Sequence, residues 1–352
     1  MKKIYKYFGT FALLFASVSA SAQIEMWADD FTVGAGQVVT VKINLKNAPA
    51  DADALGLSFD LPANVFVVGH EGEDAYDFAT SEITTNPATF NSAATIMMQY
   101  NKAWEGTGAY AMSVMCGSTL FKGDAITSTG DWIISLDVAT NATAPVTGSL
   151  TINPDYSSVG TTPGSDVSLP DASVIVSDKF IAPCNADGYC TICPTVGLDL
   201  SGVDAYIVTG AAGESVTLKK ITELAAGDAA IVKGSGNVEI PLKSGAATSE
   251  SGNKLVGVQK YTDTSGKAEY FLVGAEFVKA ATTSHLAAGR AYLAGLGSSA
   301  KVLNLSFDDD ATAIQSVEAE QNNGVLYNLN GVRVDNAVKG VYIQNGRKVV
   351  IK

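Results

Sequence analysis

The chain has 352 residues, of which 47% are apolar, with 23 basic and 36 acidic side chains and a formal charge of −13. The apolar fraction is that of a folded protein, and the length provides for two or three domains. The acidic balance excludes nucleic acid or an anionic membrane as partners held by bulk electrostatics. Few charged residues (17%) and 34 glycines disfavour helical bundles and favour turn-rich β-sandwiches.

The N-terminus is basic, then apolar, then small: Lys2, Lys3 and Lys6, the stretch from Phe8 to Val18, and Ser19-Ala20-Ser21-Ala22. That is the order of a secretory signal peptide, and Ala20-x-Ala22 predicts removal of residues 1–22 before Gln23. Without the three leader lysines, 20 basic residues face 36 acidic ones, a net charge of −16. No later stretch reaches the roughly 18 consecutive apolar residues of a membrane helix. The expected product is exported, extracellular or held on the outer cell surface, with no transmembrane segment.

Residues 23–180 carry the period-two pattern of strands with one buried face. Val39, Val41, Ile43 and Leu45 alternate with Thr40, Lys42, Asn44 and Lys46, and Leu55, Leu57, Phe59 and Leu61 follow the same rule. Trp132, Ile134, Leu136 and Val138 continue it, which assigns Trp132 to the core, as do Leu150 with Ile152 and the run Val174 to Val176. Cys116 alternates with Tyr110, Met112 and Val114 and reads as core-facing. No run of helical spacing separates these segments, so an antiparallel sandwich is predicted. The phrases "VGAGQVVTVKINLKNAP", "ALGLSFDLP" and "GDWIISLDVATNATAPVTGSLTI" resemble the cohesin-type module. That resemblance implies a jelly-roll sandwich which engages a protein partner, a calcium-binding helical dockerin, through one sheet face. Glu71 to Tyr100 departs from the family pattern, and no contact residues are carried over, since the matching positions are strand framework.

Residues 181–196 read as a Cys-containing linker or clasp between Pro183 and Pro194. In an exported chain, cysteines read as disulfide partners. One bridge is expected among Cys184, Cys190 and Cys193; spacing does not choose the pair. Residues 197–310 hold short strands separated by Gly or Asn, at Tyr206-Val208, Val216-Leu218, Ala230-Lys233, Val238-Leu242, Leu255-Val258, Tyr270-Val273, Ala291-Leu293 and Leu303-Phe307, which predicts a second small sandwich or barrel. The phrases "LAAGDAAIVKG" and "LAAGRAYL" are similar to a module that recurs in Gram-negative surface proteins, and they read as an internal repeat, a Leu-Ala-Ala-Gly turn leading into a strand.

After a linker at 311–323, residues 324–352 reverse the charge: Arg333, Lys339, Arg347, Lys348 and Lys352 face only Asp335. "LYNLNGVRV" and "GVYIQNGRKVVIK" each place Asn-Gly between alternating apolar residues, the preferred two-residue hairpin turn. This end resembles the later half of the C-terminal sorting domain of the type IX secretion pathway, which implies surface attachment.

Motifs that carry chemistry are few. His70 and His285 lie in different modules, with neither G-x-S-x-G nor H-E-x-x-H nearby, and both read as ordinary surface or loop residues. "CTIC" at 190–193 lacks the helix that activates a redox cysteine, and "GTGAYA" at 106–111 reads as a turn. The chain is therefore expected not to be an enzyme, an unrecognised hydrolase ranking last. Glu71, Glu73, Asp74 and Asp77 offer oxygen ligands for calcium, but not at EF-hand spacing. Two binding readings follow: an adhesion or interaction module with a protein partner, and, as the alternative, a carbohydrate-binding module stacking a sugar on exposed rings, with Trp104 and Tyr100 as platform residues.

Overall fold

The computed structural model describes residues 22–49, 52, 54–78, 83–86, 94–101, 112–118, 126, 132–307, 326–327, 333–334, 339–344 and 347–351. Among them, helix is confined to single 3-10 turns and no helix is long and apolar enough to cross a membrane. The all-β reading holds.

The first module runs β1 (Ile24–Ala28), β2 (Phe31–Gly34), β3 (Val39–Lys46), β4 (Ala54–Asp60), β5 (Val65–Val67), β6 (Ala75–Phe78), β7 (Ile83–Thr85), β8 (Ala94–Asn101), β9 (Met112–Ser118), β10 (Trp132–Thr140), β11 (Val146–Ile152), β12 (Ser158–Val159), β13 (Thr162–Pro163), β14 (Val167–Ser168) and β15 (Ala172–Ser177). One sheet has the order β14-β1-β3-β10-β5, with β7 also on β10; the other is β2-β15-β11-β4-β9-β8-β6, with β12 on β4 and β13 on β12. The alternation in β3 sets Val41, Ile43 and Leu45 into the space between the sheets, where Leu55, Leu57 and Phe59 of β4 meet them. Each such buried side chain contributes about 1.5–3 kcal/mol of transfer free energy.

Two edge pairings depart from the expected antiparallel pattern. The entering chain pairs with β3 through β1, then crosses within two residues to the other sheet, so β1 lies parallel to β14 and β2 parallel to β15. Trp132 also departs from its expected place. The β10–β3 register shifts between Trp132 and Ile134, Ile133 and Ile134 are both fully buried, and Trp132 is left half-buried. The bulge, which period-two reading cannot register, takes Trp132 out of the core. Cys116 pairs with Leu55 across the β4–β9 ladder, and its side chain lies outside the described set.

Residues 181–196 are integrated into the second module. That module comprises β16 (Phe180–Pro183), β17 (Tyr189–Ile192), β18 (Leu198–Asp199), β19 (Asp204–Ala212), β20 (Ser215–Ile221), β21 (Glu223–Leu224), β22 (Ala230–Lys233), β23 (Asn237–Ile240), β24 (Leu255–Val258), β25 (Thr262–Asp263), β26 (Tyr270–Val273), β27 (Glu276–Lys279), β28 (His285–Leu286), β29 (Arg290–Leu293) and β30 (Val302–Ser306). β16 pairs with β23 and β17 with β22, and Pro183 closes β16 opposite Asn237. The main sheet, β17-β22-β19-β20-β30-β27-β26-β29-β24, curls so that its ends meet: Ala291 N donates to Thr191 Oγ1 at 3.0 Å and Cys193 N to Gly289 O at 2.9 Å. The two Leu-Ala-Ala-Gly phrases form equivalent turns. Leu224 and Leu286 close the two-residue strands β21 and β28, Gly227 and Gly289 take φ of +82° and +73°, and β22 and β29 follow.

In the tail, β31 (Leu326–Tyr327), β32 (Arg333–Val334), β33 (Gly340–Gln344) and β34 (Arg347–Ile351) form the sheet β32-β31-β33-β34, with β31–β32 and β33–β34 antiparallel as the two Asn-Gly phrases predict. The turn residues themselves, the expected linker 311–323 and residues 1–21 of the leader lie outside the described residues.

Candidate binding groove

The first sandwich is open along one side, where β5 ends one sheet and β6 and β8 end the other. The groove there has a volume of about 530 Å³ and is lined by the β4–β5 turn, β5, the turn after it, Tyr76, Tyr100 and Asn141.

Local sequence builds each wall. After Asp60, Pro62 starts a turn in which Val65 N donates to Pro62 O at 3.1 Å, and Asn64 takes the left-handed φ of 65° that asparagine tolerates. Its carbonyl accepts from Thr140 Oγ1 at 2.8 Å and Asn141 N at 3.2 Å, so the end of β10 fixes this wall. Beyond β5, Gly69 (φ +94°) and Gly72 (φ +77°) fold the chain back, with His70 N bonded to Val67 O at 3.1 Å. The turn presents His70 to β6: its ring lies on Tyr76 at 3.9 Å and 6°, and Tyr76 lies on Tyr100 at 5.0 Å and 27°. The Tyr76–Tyr100 contact follows from cross-strand register, since the two residues are direct partners in the β6–β8 ladder. His70 Nδ1 lies 3.0 Å from Glu73 Oε2, which fixes the orientation of the imidazole.

Of the expected platform residues, Tyr100 is in the groove and Trp104 lies outside the described residues. His70, expected to be an ordinary loop residue, is a wall of the groove. Tyr76, Asp60, Asn64 and Asn141 join it there and went unmarked in the sequence reading. A Tyr in a short alternating run is the one signal Tyr76 gives, and that signal is shared by every buried strand residue. Among the expected calcium ligands, Glu71, Glu73 and Asp74 lie on the exposed turn, Glu73 engaged by His70; Asp77 pairs in backbone with Gln99, its side chain outside the described set. Among the described residues no three or more His, Cys, Asp or Glu groups are placed to hold a metal ion. His285, the other histidine, stacks on Tyr261 at 5.5 Å, far along the chain in the second module.

The bridge expected among Cys184, Cys190 and Cys193 is not formed in this structure, where no two of their sulfurs are at bonding distance. The sulfurs of Cys184 and Cys190 are 3.3 Å apart, while Cys193 donates to Gly227 O at 3.5 Å. Burial pushes the Cys193 thiol up to about 11.

Fold and groove together define an all-β chain with an open, aromatic-walled cleft in its first sandwich. No family model and no curated protein matches it. Among solved structures it is similar to cohesin modules. One is the third cohesin of ScaC from Acetivibrio cellulolyticus, solved in complex with the ScaB dockerin, at 20% identity over 44% of this chain and 99% of that one, with a TM-score of 0.29. Another is the third ScaB cohesin of R. flavefaciens in complex with a group 1 dockerin, at 17% identity over 45% and 96%, TM-score 0.30. A third is CaCohA2 of Clostridium acetobutylicum, at 11% identity over 44% and 91%, TM-score 0.30.

Proposed function

We propose that the chain is an exported, non-catalytic binding protein of the cell exterior whose lateral groove holds a saccharide. The observation that carries this reading is the ring stack of His70, Tyr76 and Tyr100 set in one cavity with the carboxylate of Asp60 and the amides of Asn64 and Asn141. A pyranose offers an apolar C–H face and a rim of hydroxyls, so a site for it needs aromatic surface beside groups that both accept and donate hydrogen bonds. The groove's volume is within the range of a small-ligand site, and its lining mixes aromatic and polar groups. The basic-apolar-small leader supports export.

A glycan array probed with the full mature chain tests this. Binding to at least one glycan is expected, weakened about tenfold or more in Tyr76→Ala and Tyr100→Ala, the scale of losing an anchoring aromatic. A blank array, or binding indifferent to both variants, would sink the reading. A second reading, a protein partner on a sheet face, is favoured by Ile175, 51% exposed between its ladder neighbours Thr32 and Thr147. In that case Ile175→Glu abolishes partner binding and the groove variants leave it intact.

A further inference from the structure

β16 and β17 are joined by the tight turn Asn185–Gly188, which is held by its own side chain. Gly188 N donates to Asn185 O at 3.0 Å with Gly188 at φ +83°, and Asn185 N donates to Tyr189 O at 2.9 Å. Asn185 Oδ1 accepts from the backbone of Asp187 and Tyr189, both at 3.0 Å, and its Nδ2 donates to Gly274 O at 2.8 Å, tying the turn to the β26–β27 connection. The residues immediately outside the Asn185–Tyr189 bond are Cys184 and Cys190. In antiparallel chains the pair next to a hydrogen-bonded one brings its side chains closest, with Cα atoms about 4.5 Å apart, inside the range a disulfide spans. Here the two sulfurs are in contact at 3.3 Å.

The other pairings in the cluster lack this geometry. Successive strand residues alternate faces, and Cys193 lies by β24, where a Cβ on Gly257 would fall 2.4 Å from its Sγ and its thiol meets Gly227 O. Cys190 instead faces the core built around Phe180, Ile192 and Ile207, beside Cys184. Cys116 belongs to β9 of the first sandwich.

We propose that Cys184 and Cys190 are joined by a disulfide in the mature protein, closing the β16–β17 turn as a covalent clasp. The oxidant is an external disulfide, of a protein oxidase or of glutathione. Cys184, the half-exposed member, loses its proton and its thiolate attacks one sulfur of that disulfide; a mixed disulfide forms and one thiolate leaves. Cys190 then gives up its proton and attacks Cys184 Sγ, the Cys184–Cys190 bond forms and the second thiolate leaves. Two electrons pass to the external disulfide, and the two protons released restore its thiols. Hydrogen bonding from Cys190 holds the Cys184 thiol below its ordinary value and keeps that of Cys190 above its own, which suits this order of attack. The bridge fastens the segment leaving the first sandwich to the first strand of the curled sheet.

The test is peptide mapping of the full chain recovered from an oxidising compartment, alkylated in denaturant without reductant. Two of the four cysteines, Cys116 and Cys193, should be alkylated, and the peptide holding Cys184 and Cys190 should be lighter than its reduced form by two hydrogens. Alkylation of all four, or a bridge to Cys193 or Cys116, overturns the proposal. As a second reading, reductant should lower the Tm of the wild type and of Cys193→Ser by about 5 °C, the scale for a short closed loop. Cys184→Ser should show no response to reductant; an unchanged wild-type Tm overturns the clasp as a stabilising bond.

Discussion

Replacing Asp137 with alanine should loosen the contact between the two modules. Asp137 stands on β10, and its carboxylate is shared: Oδ1 accepts from Thr40 Oγ1 at 2.6 Å, and Oδ2 accepts from the backbone N of Tyr261, in the second module, at 2.7 Å. Thr40 Oγ1 in turn accepts from Ala288 N at 2.9 Å, so one side chain organises two backbone contacts across the junction. Around it Trp132, turned out by the bulge, meets Tyr261 edge-on at 5.7 Å, and Lys42 Nζ sits 4.8 Å from the Trp132 ring. Hydrogen bonds to a charged group contribute about 1.5–3 kcal/mol each; with desolvation returned on removal, the net loss in Asp137→Ala is about 2–3 kcal/mol. Calorimetry of the full mature chain should show the Tm lowered by about 5–10 °C. The pH dependence carries a sign that can be checked. Burial raises the Asp137 pKa above its ordinary 3.8, against the opposing hydrogen bonds from Thr40 and Tyr261 and the charge of Lys260. A carboxyl whose folded pKa is raised contributes fully below the unfolded value, and that contribution is lost as pH rises through the folded one. The stability of wild type relative to Asp137→Asn should therefore decline as pH climbs from just above 3.8. A Tm for Asp137→Ala within about 1 °C of wild type, or a wild-type advantage that grows with pH, would refute the junction as described.

The two Leu-Ala-Ala-Gly turns should answer the same substitution differently. Gly227→Ala adds only left-handed strain, about 1–2 kcal/mol, because its Cβ would meet nothing nearer than Gln259 Nε2 at 3.7 Å; Gly289→Ala should cost clearly more in thermal melts, since its Cβ would lie 2.6 Å from Val38 O, backbone that cannot swing aside. Equal costs would mean that the junction yields freely at Gly289. Hydrogen bonds from Lys243 and then from Thr248 hold the Glu223 carboxyl down at about 2. Its contribution to stability is present above the ordinary 4.5 and is lost as pH falls toward 2. Carboxyl carbon NMR should find that midpoint, moving up toward 4.5 in Lys243→Ala; a wild-type midpoint already near 4.5 would count against the pair.

What could be read from the residues divides along physical lines. Strands whose alternation is set by burial of one face, such as Val39–Lys46 and Ala54–Asp60, are legible because the pattern and the packing have the same local cause. The paired Leu-Ala-Ala-Gly turns are legible for the same reason, since the positive φ of Gly227 and Gly289 is a property of the turn residues themselves, and the Asn-Gly phrases of the tail are legible through the antiparallel pairing of the strands that flank them. Trp132 fails the same test, because the bulge between it and Ile134 puts it out of phase with Ile134, Leu136 and Val138 while leaving composition untouched. The groove is less legible still. Tyr100 stands out as an aromatic near a loop, but its partners are chosen by strand pairings that sequence spacing does not encode: Tyr76 by the β6–β8 register, His70 by two glycines that reverse the chain, and Asn141 by a hydrogen bond to Asn64. His70 gains a role only when Tyr76 supplies a face and Glu73 an acceptor. A cleft assembled from the open edges of two sheets is thus a property of which strands come last in each sheet, and the residues lining it are ordinary until that order is known.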